Sequence, residues 1–250
     1  MDPVREKTGR RRAFQVVTVV LGGALGALAL LSLFAVVGLD EGERSDHRVH
    51  DLATVIQLGL LLGTGLIVQA HMPERKIALL HLVALTMVAL GIAYAISGEL
   101  PFALIGLVIV AVLIWLHPAR ERLLSRGRFS IPLGVLIVAT AVPLAVYALD
   151  QAEIQRAGGL GIHWDEFHWA SMAGLALGLP LGGIAAATSA AGWRIAAWLV
   201  GAAGMATGLG WLAFPDHPSS LGVSGGIAAL AGGVLFVAVA EWEARRAARS

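Results

Sequence analysis

Apolar residues run in blocks of about 20 along this chain, and short polar breaks separate them. A block of that length, helical at 1.5 Å per residue, crosses a hydrocarbon core of about 30 Å. The pattern predicts eight spans, at about 13–38, 51–70, 77–97, 101–117, 131–149, 167–189, 193–213 and 221–241. Turn and charge signals fill the breaks: DEGERSDHR, HMPERK, SGELP, HPARERLLSRGR, the longer 150–166 segment, SAAGWR and FPDHPSS. Breaks this short imply antiparallel neighbours. The expected fold is therefore an all-α integral membrane bundle of eight transmembrane helices.

Composition agrees. Hydrophobic residues make up 57% of the 250 and charged residues only 14%, where a soluble domain carries about 25%. The first apolar run, from Ala13 to about Gly38, exceeds the roughly 7–15 residues of a signal-peptide core, so it reads as a retained first helix. There is no cysteine, which excludes disulfides and thiolate metal ligands.

Charge then orients the bundle. With the N-terminus cytoplasmic, 18 Lys and Arg divide so that only Arg44, Arg48 and Arg156 fall on the outer side. That is the positive-inside distribution. An even number of spans places both termini in the cytoplasm, and both are basic, so the expectation is a cell or organelle inner membrane with N-in, C-in topology. Trp164, Trp169 and Trp211 fall at outer ends and Trp115, Trp193, Trp198 and Trp242 near inner ends, where aromatic belts form.

A repeat is visible. His50 opens the second span and His168 the sixth, Gly59 and Gly63 match Gly178 and Gly182, and Glu99-Leu100-Pro101 matches Asp216-His217-Pro218, all at offsets of 117–119. This divides the chain into residues 1–128, a first four-helix half with a basic N-terminus, and residues 129–250, a second half with a basic C-terminus.

The candidate chemistry lies at the outer face. His47, His50, His163, His168 and His217, five of the eight histidines, fall there with most of the 17 acids, including Asp165 and Glu166. His47 and His50 share a helix face if the second helix begins early. His163 and His168 converge only through a turn. Imidazole with carboxylate suits a divalent transition metal such as Zn, Cu, Fe or Ni, and two imidazoles from different helices can ligate haem iron. Below them His50, Thr54, Gln57 and Thr64 form a polar line on the second helix. It serves interhelical hydrogen bonding or the wall of a cofactor site, which puts Gln57 beside His50, His168 and His217 as cofactor-binding candidates. Glycine strips (Gly22 and Gly26; Gly174, Gly178 and Gly182; Gly204 and Gly208) allow close helix approach.

No span carries an acid, Lys or Arg near its middle, which disfavours ion-coupled transport at the midplane. The only lysines are Lys7 and Lys76, so no retinal Schiff base forms within a span. Phosphate loops, nucleophile elbows and HExxH are absent, and nothing points to nucleic acid.

The helix plan, with His50 at the start of helix 2, His168 at the start of helix 6 and His217 before helix 8, resembles that of heme A synthase. That family has two tandem four-helix halves whose outer histidines bracket haem. The resemblance implies haem between His50, His168 and His217. It departs at Leu100, which stands where a first-half partner of His217 belongs, and in the lack of the loop cysteines that many members carry.

Three function classes follow. One is a haem- or metal-binding membrane protein in a redox role. Another is a non-catalytic accessory subunit within a larger membrane complex or homo-oligomer. The third is a small-molecule or metal permease. The lipid bilayer is the partner common to all three.

Overall fold

The computed structural model describes residues 3–37, 47–124, 127–159 and 162–249. Among these there is no strand. Helix α1 is Pro3–Val36, α2 Arg48–Ala70, α3 Ile77–Ile96, α4 Leu100–Leu116, α5 Ile131–Ala157, α6 His168–Ala187, α7 Trp193–Ala213 and α8 Gly222–Ala247, with a short helical turn at Ile162–Asp165 before α6. Seven of them are long and apolar enough to cross a membrane; α4, with 17 residues, is shorter. A helix suits this setting because it satisfies every backbone N–H and C=O within the segment.

Local chemistry sets the ends. Gly98 adopts φ 94°, which ends α3, and Pro101 opens α4 in the first turn, where its missing N–H costs nothing. Ser130 caps α5 by accepting the N–H of Leu133 at 3.2 Å. The Lys76 ammonium donates to the carbonyl of Val68 at 2.7 Å, where the C-terminus of α2 favours a cation.

Two boundaries differ from expectation. Helix α1 reaches back into the basic segment, and α5 runs on to Ala157 through residues expected to be loop. The second extension has a tertiary cause. Gln155 is buried in α5, donates to the carbonyl of Trp164 and accepts the N–H of Ala170, tying the end of α5 to the start of α6.

Contacts show that the helices alternate in direction. Phe14 of α1 meets His117 just past α4, and the N–H of Ala78 in α3 bonds the carbonyl of Ala191 before α7; these mark one end, rich in basic residues. Tyr94 of α3, Phe102 of α4 and Phe167 before α6 meet at the other, the histidine end. Helix α4 therefore runs from one end to the other like the rest. The core of the bundle is α6, 72% buried along its apolar window, with α3 and α7; α1, at 17%, lies outside.

Neighbouring helices pack in sequence pairs: α1 on α2, α3 on α4, α5 on α6, α7 on α8. Between pairs, α3 packs on α6 and α2 on α7, while α1 touches α4 and α5 touches α8. Replacing each helix by the one four places away maps these contacts onto each other. Glycines set the closest seams. A Cβ on Gly22 of α1 would lie 3.0 Å from the carbonyl of Gly63 in α2, and one on Gly208 of α7 would lie 2.6 Å from that of Gly226 in α8. Such approaches are open only to glycine.

Within α2, Val55–Gly63 winds as a π-helix. Such wide turns are rare and cluster at functional sites. The Thr64 hydroxyl donates to the carbonyl of Gly59 at 2.9 Å, supplementing the backbone ladder there.

Candidate functional site

Four imidazoles meet at the histidine end. Helix α2 begins at Arg48, early enough for His47, its N-cap residue, and His50, in its first turn, to stand on one side. Phe167 takes a left-handed turn (φ 56°) that starts α6 at His168. His217 comes from the loop between α7 and α8. The ring of His168 stacks on His50 at 4.9 Å and 30°, and meets His47 edge-on at 5.0 Å. His50 in turn meets His217 at 4.9 Å and Trp169 at 5.1 Å. His50 is 1% exposed, and His47 and His168 are under one-tenth exposed.

Ser219, fully buried, links this cluster to the bundle. Its hydroxyl contacts Nε2 of His50 at 2.9 Å, and its N–H donates to Nδ1 of His217 at 3.0 Å. Its carbonyl accepts from the Tyr147 hydroxyl at 2.7 Å and from the Trp211 indole N–H at 3.1 Å. When neutral, His217 therefore carries its proton on Nε2. A carboxylate oxygen of Glu166 lies 3.2 Å from Nε2 of His168.

The predicted residues fare differently. His47, His50, His168 and His217 are brought together, with Glu166 at their edge. Asp165 is exposed on the short turn rather than packed into the cluster. The side chain of His163 lies outside the described residues. Gln57 is no wall of this site: it sits two turns deeper in the π segment, 2% exposed, and its Nε2 approaches Gly174 of α6, within 3.1 Å of where a Cβ there would stand. Among the described residues that amide nitrogen has no hydrogen-bond partner, and neither has the hydroxyl of the fully buried Thr86 on α3, which faces Gly182 along the same strip.

Trp169 and Trp211 also correct an expectation. They are 6% and 4% exposed, so they pack inside the bundle instead of marking a belt. Trp115, Trp198 and Trp242 are exposed as belt residues are. Ser219 and Tyr147 carried no sequence signal, since one Ser in a loop and one Tyr in an apolar run have no diagnostic spacing.

The ring geometry bears differently on haem and on a single ion. Haem does not fit between His50 and His168, because rings stacked at 4.9 Å leave no slot for a macrocycle. For a single ion the chemistry fits, being imidazole with carboxylate. Among the described residues no three of these groups point their ligating atoms at one position. The rings are gathered, but their nitrogens do not converge on one point.

The basic end shows histidines used otherwise. His81 bonds the carbonyl of Leu123 at 2.8 Å. His117 is fully buried edge-on against Phe14 and accepts the N–H of Ala119. Burial lowers the pKa of His117. Glu241 there accepts two bonds from Arg194 and one from Trp198, joining α8 to α7.

No protein-family model, characterised protein or solved structure matches the chain.

Proposed function

We propose that this is an eight-span membrane protein, N-in and C-in, that binds a divalent transition-metal ion at its outer face through His47, His50 and His168, with Glu166 as a fourth donor. The observation that carries this is the ring spacing. Nitrogens about 2.0–2.1 Å from a tetrahedral ion place the centres of neighbouring imidazoles about 5 Å apart. His168 already stands 5.0 Å from His47 and 4.9 Å from His50. To complete the site their nitrogens would have to turn toward one point. His217 acts through Ser219, which orients His50, the role that outer-shell hydrogen bonds have at metal sites. Imidazole-rich sites favour Zn, Cu or Ni, and copper would supply one-electron chemistry.

The topology rests on the basic residues and on the end-to-end course of α4. A tandem duplication of residues 1–128 and 129–250 accounts for the helix contacts that exchange four places apart. It also accounts for His50 and His168, which open corresponding helices and stack on each other.

Calorimetric titration of the chelator-stripped, full-length protein in detergent with Zn2+ and with Cu2+ tests the binding. The expectation is one ion per chain, lost in His168→Ala. Absence of stoichiometric binding, or equal binding by the variant, overturns the proposal. A metal-free protein that co-purifies with fixed partners then favours the accessory-subunit reading. Because the chain has no cysteine, single cysteines introduced at Pro218 and Arg249 report sidedness cleanly. An impermeant maleimide labels the first from outside and the second only after lysis.

A further inference from the structure

A cleft of about 490 Å3 lies in the second half of the bundle, between the α5–α6 pair and the α7–α8 pair. We infer that it binds a neutral amphiphile with one long apolar chain and a small uncharged head, the chemical class of the membrane quinones.

Four properties of the cleft lead to this occupant. Its volume lies in the range of small-molecule sites, about 300–1,000 Å3. It runs from Leu136, in the second turn of α5, to Trp211 near the far end of α7, so most of its length lies in apolar membrane-length helix. An apolar chain fills such a space, since water has no partners there. Among the described residues no charged one lines it, so none of them matches a phosphate head. And it is too small to enclose a partner helix: a span about 10 Å wide and about 30 Å long displaces roughly 2,400 Å3.

The histidine end of the cleft is where a polar head belongs. Trp211 offers a ring face, and the hydroxyls of Thr207 and Ser224 line the same end. The indole of Trp211 bonds Ser219, the residue that also holds His50. The head would thus lie one side chain from the histidine cluster. The cleft stands on its own geometry and does not depend on metal binding.

Gly232 gives a clean test. It lines the cleft, and a Cβ there would meet nothing within 4 Å. Gly232→Phe therefore has room at its Cβ to put a ring into the cleft, and Ala228→Phe adds one at a second lining position one turn away. The purified full-length protein is titrated with a ubiquinone bearing two isoprene units, read by quenching of tryptophan fluorescence. Saturable quenching is expected, weakened at least tenfold in both Phe variants and much reduced in amplitude in Trp211→Phe. Unchanged zinc binding and an unchanged melting profile in Gly232→Phe show that the fold and the histidine cluster survive. Three results would overturn the inference: quinone binding by both Phe variants as tight as by the unsubstituted protein, recovery of the quenched fluorescence on adding phosphatidylglycerol at a concentration equal to that of the quinone, or a dimer that Gly232→Phe dissociates.

Discussion

The two ends of the bundle both bury histidine, yet they treat it in opposite ways. At the basic end His81 and His117 stand apart, each answered by a backbone group or an aromatic ring. At the other end four rings follow one another in contact, His47, His168, His50 and His217, and Ser219 bonds the last two. Residue type is the same at both. What separates a packing histidine from a ligand candidate is whether several elements bring imidazoles to one place. Three elements do so here: the first turn of α2, the first turn of α6 and the α7–α8 loop.

That contrast can be broken by mutation. The largest effect is expected from His168→Ala, which removes the ring shared by His47 and His50. Zinc affinity should fall on the order of 100-fold or more, whereas His117→Ala at the opposite end leaves it unchanged; titration calorimetry reads both. If the two variants behave alike, the distinction between ends fails. Next comes Ser219→Ala. It deletes the hydroxyl facing His50 but keeps the N–H and C=O that hold His217, Tyr147 and Trp211. A loss of about tenfold in zinc affinity, with little change in melting temperature, would mark Ser219 as a positioning residue.

Acid probes the basic end. His117 has its pKa lowered by burial. The unfolded chain then binds more protons than the native one as pH drops below about 6.5, so stability declines with acidification until the folded pKa is passed. His117→Leu should narrow the difference between melting temperatures at pH 7.5 and pH 5.5. An unchanged difference would show that His117 does not report acid stress. The smallest effect is expected from Gln57→Leu. The buried amide nitrogen has no partner among the described residues, so an apolar side chain of similar size should shift stability by no more than about 1 kcal/mol and leave zinc binding as it was. A tenfold loss of affinity would return Gln57 to the site.

The helices were legible because a membrane span writes its length directly into the sequence. Their ends were less so, since Gln155 extends α5 through partners at Trp164 and Ala170 that only the folded chain supplies. Within the site, the spacing of His47 and His50 and the matched positions of His50 and His168 announced themselves. The approach of His217 depends on how α7 and α8 are set against α2, and no local pattern encodes that. Trp169 and Trp211 misled for a related reason. An aromatic residue at a helix end looks the same in sequence whether its ring turns toward lipid or toward a neighbouring helix.

The π segment of α2 has a consequence for how that helix is phased. Counting by 3.6 residues presumes one uniform winding, so His50, Thr54, Gln57 and Thr64 seemed to share a single stripe. Wider turns between Val55 and Gly63 rotate the lower part of the helix relative to the upper. The upper part can take its bearing from the histidine cluster while the lower part takes its own from the glycine seam with α1. One continuous rod thus meets two independent angular demands.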